Sequence, residues 1–226
     1  MFKRRLTISE ILLIVVNLIP LYGVWFEGWD PRMIFLVYCL ETMIIGIVNV
    51  LKMAIVTLLM KPTEQWNNNG RVSRVSGWFF IFFFIVHYGM FVLIQTQLFF
   101  GASGLVNDTS FFGAYRHIPG WLGPDGKMLL LIFVLYYSLQ TFFEFFQSGD
   151  YKNITLTRLL FQPYGRIVIQ QLIVILGSMF LSFGAGKIFM LVMVAIKLFF
   201  ELYVNLDRYL RLAERMNKKE TGASGE

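Results

Sequence analysis

Four ionisable side chains lie inside long apolar stretches of the sequence, where they could carry binding or proton-transfer chemistry. They are Glu41, His87, Lys197 and Glu201. An ionisable group in the hydrocarbon of a membrane is costly without a partner, so its presence there suggests a function. Histidine titrates near neutral pH, and a nearby carboxylate could exchange protons with it. These four residues are the first candidates for an intramembrane site.

Amide and charged residues extend this pattern at helical spacing. Lys197, Glu201 and Asn205 follow one another at intervals of four residues, and His87 and Gln95 are eight apart. Residues at such spacings share one side of an α-helix. We therefore expect several helices to present a polar face to the interior of a bundle. The predicted intramembrane cluster consists of Glu41, His87, Gln95, Gln171, Lys197, Glu201 and Asn205.

Depth along the helices predicts one ion pair. At a rise of about 1.5 Å per residue, Glu41 lies roughly 12 Å and Lys197 roughly 15 Å below the outer membrane boundary. Two opposite charges at a similar level on neighbouring helices are expected to pair. By contrast, Lys52, Glu144 and Arg208 lie near enough to the ends of their apolar stretches to extend toward the interface.

His87 lies near mid-depth in its stretch, about 13 Å from the inner boundary. An imidazole in hydrocarbon needs partners for its N–H and its ring acceptor. We predict that it points into the bundle, with Glu201 or Gln171 as its nearest polar neighbour. Gly89 is expected to let an adjacent helix approach closely.

The elements that position these residues follow from composition. The 226 residues are 57% hydrophobic and only 15% charged, with a mean hydropathy of +0.63. A soluble domain of this size carries about 25% charged residues, so the sequence predicts an all-α integral membrane bundle. About 20 apolar residues are needed to cross a bilayer as a helix. Six stretches satisfy this length, at 7–26, 32–53, 78–100, 128–147, 166–183 and 187–206.

Lysine and arginine residues are distributed unequally between the two sides of this topology. Fourteen lie on the side of the membrane that holds both predicted termini, and four lie on the opposite side. Cytoplasmic loops carry the excess of basic residues, so we predict six spans in the cytoplasmic membrane with both termini inside. The basic residues border the apolar stretches, which gives no reason to expect nucleic-acid binding.

The six spans are predicted to form one domain, over residues 1–212. The polar segment 213–226 is expected to be a disordered cytoplasmic tail, and the first span is expected to remain uncleaved. Cys39 is the single cysteine, which excludes a disulfide within the chain. The exterior segment 101–126 is interpreted as a connector, with folding over the helix ends as the alternative.

Five segments, at 17–23, 38–53, 82–91, 163–177 and 197–206, together resemble an uncharacterised prokaryotic family of polytopic membrane proteins, a numbered domain of unknown function. The resemblance implies a small membrane protein without an assigned activity. It also implies that histidines are usual at Gln95, Gln171 and Asn205, and an aspartate at Glu201. Because amides are poor ligands for zinc or iron, we predict no bound metal and no cofactor.

Three functions stay open at this point. The polar cavity predicted around Glu41, His87, Lys197 and Glu201 could be a proton or small-solute pathway. His87 and Glu201 could instead serve an intramembrane enzyme, although the sequence contains neither GxSxG nor HExxH. The polar faces could also only join helices in a structural subunit. The lipid bilayer is the expected partner, a homo-oligomer or a partner subunit is left open, and the ligand is undetermined.

Overall fold

The computed structural model describes residues 7–60, 64–68, 71–104 and 112–203. In these ranges the chain forms six long α-helices, one short α-helix, two short helical segments of other types and one two-stranded hairpin. The α-helices are α1 (Ile8–Phe26), α2 (Pro31–Met60), α3 (Gly77–Ser103), α4 (Gly113–Thr141), α5 (Leu156–Phe161), α6 (Tyr164–Ser182) and α7 (Gly186–Tyr203). The antiparallel strands are β1 (Glu64–Asn68) and β2 (Arg71–Val75). A π-helical segment at Phe142–Gln147 continues α4, and Asp150–Lys152 forms a 3-10 turn.

The predicted all-α architecture is confirmed, with the hairpin between α2 and α3 as an addition that the apolar pattern did not predict. Over the described residues, each of the six predicted stretches overlaps one long helix, although α2 extends to Met60 and α4 begins at Gly113, well outside the predicted bounds. Within the described ranges, four helical segments are long and apolar enough to cross a membrane, namely Ile8–Phe26, Pro31–Met60, Gly77–Gly101 and Gly113–Gln147. Asn205 and the predicted tail at 213–226 lie outside the described residues.

Local capping signals set several helix ends. The Thr7 side chain accepts a hydrogen bond from the Glu10 amide, and the Glu10 carboxylate accepts one from the Thr7 amide. This reciprocal arrangement satisfies two backbone donors that would otherwise lack partners at the start of α1. The Ser76 side chain caps α3 by accepting one hydrogen bond, from the Trp78 amide, and Gly104 ends that helix in the left-handed conformation, with φ of 66°.

The second helix is the centre of the bundle. Consecutive side chains from Ile34 to Cys39 are 0% exposed, so this part of α2 is enclosed on all sides. A helix that is apolar around its whole circumference is expected to be buried, and α2 contacts α3, α4, α5, α6 and α7. The outer surface is apolar too, as Phe82 on α3 is 68% exposed. This surface is suited to contact with lipid.

The segment 101–126 is more than the connector that we predicted. Its described second half belongs to α4, which begins at Gly113 and has one non-helical residue at Gly123, with φ of 57°. The rings of Tyr115 and Trp121 each lie 5.5 Å from the ring of Phe100. Aromatic contacts of this kind hold the segment against the end of α3, so the alternative of folding back over the helix ends applies to this part.

A close approach between α2 and α3 occurs at Gly46, and the prediction for Gly89 is wrong. A Cβ atom on Gly46 would lie 2.6 Å from Cε1 of Tyr88, whereas one on Gly89 would meet nothing within 4 Å. Tyr88 cannot easily move away, because it is 3% exposed and its hydroxyl donates to the Thr42 carbonyl at 3.0 Å. The small residue required at this helix contact is therefore on α2.

We expect Gly46→Ala to destabilise the protein by about 1–3 kcal/mol, the usual effect of overpacking a well-packed site. Gly89→Ala is the matched control, and it should be neutral or stabilising by up to about 1 kcal/mol, because alanine favours the helix over glycine. Thermal unfolding of the purified variants in detergent measures both effects. Equal stability of the two variants would contradict the assigned contact.

Candidate functional site

The predicted pair is present in the bundle core. Lys197 on α7 forms an ion pair with Oε2 of Glu41 on α2, and the two residues are 3% and 1% exposed. The other carboxylate oxygen, Oε1, accepts a hydrogen bond of 2.5 Å from the Tyr137 hydroxyl on α4. The Lys197 ammonium also lies 4.4 Å from the ring centroid of Tyr38 and 5.2 Å from that of Phe133. Both charges are thus compensated by direct partners and aromatic faces.

Arg166 on α6 extends this network. Its Nη1 donates a long hydrogen bond of 3.5 Å to the Tyr137 hydroxyl, and its guanidinium carbon lies 5.7 Å from the centroid of the same ring. The Tyr137 hydroxyl accepts from Arg166 and donates to Glu41, so it links the arginine to the ion pair. Residues from α2, α4, α6 and α7 are connected in this way.

A cavity of about 400 Å³ leads to this network. Its walls come from the start of α1, the middle of α2, the end of α4, the start of α6 and the second half of α7. Lys197 and Tyr137 line its deep part, next to Glu41. Its charged lining residues are Glu10, Lys52, Glu144, Arg166, Lys197 and Glu201.

The Glu201 carboxylate is a second conspicuous group in this cavity. Its Oε2 atom is buried and has no hydrogen-bond partner among the described residues. Glu201 lies within electrostatic range of Arg166 and of Glu41, but no ion pair joins it to a described residue. A buried carboxylate oxygen without a donor is unfavourable, so this atom is suited to accept a hydrogen bond from a bound molecule.

His87 lies away from this cavity, and its predicted neighbours are wrong. Its Nδ1 is 2.5 Å from the hydroxyl of Tyr164 at the start of α6. Its ring stacks on Phe83 and meets Phe91 edge-on, each with a centroid distance of 5.2 Å. Successive residues of an α-helix are turned by about 100° around its axis. Tyr88 faces α2, so His87 points in a different direction, toward the beginning of α6. His87 is half-buried in an aromatic contact.

The amides of the predicted cluster serve different purposes. Gln171 donates to the Phe91 carbonyl at 2.9 Å and so joins α6 to α3. Gln95 is 0% exposed, and its two side-chain polar atoms have no hydrogen bond to a described residue. The structure thus brings Glu41, Lys197 and Glu201 together and places His87, Gln95 and Gln171 elsewhere.

Sequence reasoning missed Arg166 and Tyr137 as members of the site. Arg166 precedes Gln170 by four residues, which places both on one helical face, and this spacing could have identified Arg166 as a site residue. No feature of the sequence identified Tyr137 as a site residue, because its phenol is neutral at ordinary pH and tyrosines are common in helical membrane proteins. Lys52 and Glu144 were assigned to the interface, and the structure places both in the lining of the cavity.

Metal ligands are not clustered in the part of the chain that the structure describes. No three His, Cys, Asp or Glu side chains lie close enough there to hold a metal ion. His87 is paired with Tyr164, and Glu201 is on a different face of the bundle. The absence of metal stays a prediction for the whole protein.

Long apolar helices around a charged interior are typical of α-helical membrane proteins. Comparison of the sequence with family models identifies the chain more closely. It belongs to a family of unknown function, DUF6498, whose model matches residues 1–223. The predicted resemblance to a numbered uncharacterised family is confirmed, while the prokaryotic origin stays a prediction. Neither the curated proteins nor the solved structures include a match.

We expect Glu41→Gln to destabilise the protein by about 3–5 kcal/mol, because it leaves the Lys197 ammonium buried without its counter-ion. Glu41→Gln combined with Lys197→Met should be less destabilising than Glu41→Gln alone, since no uncompensated charge remains. Thermal unfolding of the two single variants and the double variant completes the cycle. Additive effects would show that the two side chains do not interact.

Proposed function

We propose that the chain crosses the cytoplasmic membrane six times, with both termini in the cytoplasm. Two observations support this topology. The six long helices match the six apolar stretches, and the ends that include both termini carry fourteen of the twenty lysine and arginine residues. In this orientation the cavity lies in the cytoplasmic half of the bundle, because the start of α1 and the start of α6 contribute to its lining.

We further propose that this cavity is a binding site on the pathway of a small polar solute, with proton transfer through the Glu41–Lys197 pair. The observation that carries the proposal is a cavity walled by five helices, lined by charged residues and ending at a buried ion pair. Its volume of about 400 Å³ falls within the range of about 300–1,000 Å³ for small-molecule sites.

The aromatic packing beyond the ion pair supports a pathway that is closed on its outer side. Phe35 lies six residues before Glu41, which is about 9 Å further along α2. Its ring stacks on Phe99 and Phe189, with centroid distances of 6.5 and 5.5 Å. All three side chains are almost fully buried. A solute would therefore need these helices to rearrange before it could leave on the exterior side.

The ion pair offers a means of coupling protons to such a rearrangement. A proton that reaches Glu41 removes its negative charge and thereby weakens its attraction for Lys197. Because Glu41 is on α2 and Lys197 is on α7, protonation changes the interaction that holds these two helices at one level. Tyr137, whose hydroxyl donates to Glu41, lines the cavity, so one hydrogen bond connects the carboxylate to the cavity lining.

The other functions receive less support from the geometry. An enzyme using His87 with Glu201 requires both at one place, and they have separate surroundings. A purely structural role explains Gln171, which bonds to the backbone of another helix. It does not explain why Arg166 and Glu201 face a cavity without an ion pair to any described residue.

The topology predicts which sites a membrane-impermeant thiol reagent can reach from outside the cell. In a Cys39→Ala background, a cysteine at Phe112 should be modified in intact cells. Cysteines placed within 61–77 or after Arg208 should react only when the cytoplasmic face is exposed, as in inverted vesicles. Modification with the opposite sidedness would overturn the assigned orientation.

Two adjacent positions on α6 test whether the cavity holds water. Ile169 lines the cavity, and Val168 is 55% exposed on the outer surface. Thiols react as thiolates, which do not form in hydrocarbon. In the Cys39→Ala background, Ile169→Cys should be labelled by a charged methanethiosulfonate reagent from the cytoplasmic side. Val168→Cys should stay unlabelled, and equal reactivity at both positions would contradict a water-filled pathway.

A further inference from the structure

We propose that the ligand of this cavity is a small zwitterion, whose anionic group binds Arg166 and whose ammonium group binds Glu201. The inference rests on the proposed solute-binding function and specifies the chemistry of the solute. It starts from two opposite charges that line one cavity and are not paired with each other.

Arg166 has hydrogen-bonding capacity to offer a ligand. A guanidinium carries five N–H donors in a planar fork that matches a carboxylate or a phosphate. Among the described residues, only the Tyr137 hydroxyl accepts from Arg166, at 3.5 Å. The Tyr137 ring covers part of one face of the guanidinium. An anionic group in the cavity can therefore use donors that the described part of the protein leaves available.

Glu201 provides the complementary acceptor. Its Oε2 atom is buried without a hydrogen-bond partner among the described residues, and the residue lines the same cavity. An ionised carboxylate only accepts hydrogen bonds, so the group that satisfies it must be a donor. An ammonium group supplies both the donor and the opposite charge.

The remaining charges do not favour a ligand of a single sign. Lys197 and Glu41 neutralise each other at the deep end, and Glu144 accepts a hydrogen bond of 3.1 Å from Gln140. An anion alone would satisfy Arg166 and leave Glu201 buried without a partner. A cation alone would have the reverse effect. A zwitterion satisfies both side chains without changing the net charge of the site.

The rest of the lining suits a short carbon skeleton between the two charged groups. Leu13, Ile45, Val48 and Phe200 contribute apolar surface to the cavity. The volume of about 400 Å³ is ample for a molecule of amino-acid size, since one water occupies about 30 Å³ in the liquid. The ligand class is thus an amino acid or a similar compound with separate ammonium and acidic groups.

Calorimetry on the purified full-length protein in lipid nanodiscs tests this inference. The zwitterionic probes are glycine, β-alanine, 4-aminobutanoate and glycine betaine, which differ in charge separation and in whether the nitrogen can donate. Propanoate and ethylammonium are the probes with one charge. We expect at least one zwitterion with an N–H donor to bind about tenfold or more tightly than either singly charged probe, and glycine betaine to bind weakly because its nitrogen cannot donate to Glu201.

Three variants separate the two contacts from general effects of charge. Arg166→Lys keeps the positive charge but removes the fork, and Glu201→Gln keeps the shape but removes the negative charge. Each should weaken the best zwitterion by about tenfold or more, since a buried charged group of the ligand loses its partner. Asp125→Asn is the matched control, because it removes an exposed negative charge of α4 that does not line the cavity, and it should leave the affinity within about twofold.

The possible failures are distinguishable. If propanoate or ethylammonium binds as tightly as every zwitterion, or if Glu201→Gln leaves zwitterion binding unchanged, the zwitterion inference is overturned and the solute-binding site stands. If no probe binds while Ile169→Cys is labelled from the cytoplasm, the ligand class is again wrong but the water-filled cavity remains. If no probe binds and Ile169→Cys is also unreactive, the proposed function fails together with the inference.

Discussion

The pairing of Glu41 with Lys197 is the interaction on which the arrangement of the bundle most depends. Either charge alone would be strongly unfavourable in the apolar core. The pair is tolerated only when the two charges are in direct contact and also have further polar partners. This requirement fixes the relative level of α2 and α7. It also involves α4, because the Tyr137 hydroxyl donates a hydrogen bond to the second oxygen of the Glu41 carboxylate. The aromatic faces of Tyr38 and Phe133 complete the surroundings of the ammonium.

Other polar residues in the spans work locally and hold pairs of helices together. Gln171 bonds to the backbone of α3, Gln170 donates to the Tyr38 carbonyl on α2, and Asn49 donates to the Leu159 carbonyl on α5. Such bonds between helices add modest stability in a membrane. They leave each amide occupied, so these residues are part of the scaffold. The close contact at Gly46 and Tyr88 has the same role between α2 and α3.

Two charged groups of the cavity, by contrast, have no ion-pair partner among the described residues. Arg166 and Glu201 line one space, carry opposite charges and form no ion pair with a described residue. A protein that needed these side chains only for stability would gain by pairing them directly. Two opposite charges that line one cavity without pairing instead create a preorganised place for a ligand that has both charges. No activity is assigned to the family, so the site chemistry is the basis for the proposed function.

The sequence by itself predicted the six apolar stretches that form the long helices, though not the start of α4, and the pairing of Glu41 with Lys197. Both follow from position along the chain, because apolar length sets a helix and rise per residue sets depth. Only the tertiary structure decided which way each polar residue points. His87 was expected beside Glu201, but the fit of Tyr88 against Gly46 turns it toward Tyr164. Tyr137 and Arg166 likewise became site residues only through packing, because the rotation of a helix about its axis depends on all of its neighbours together.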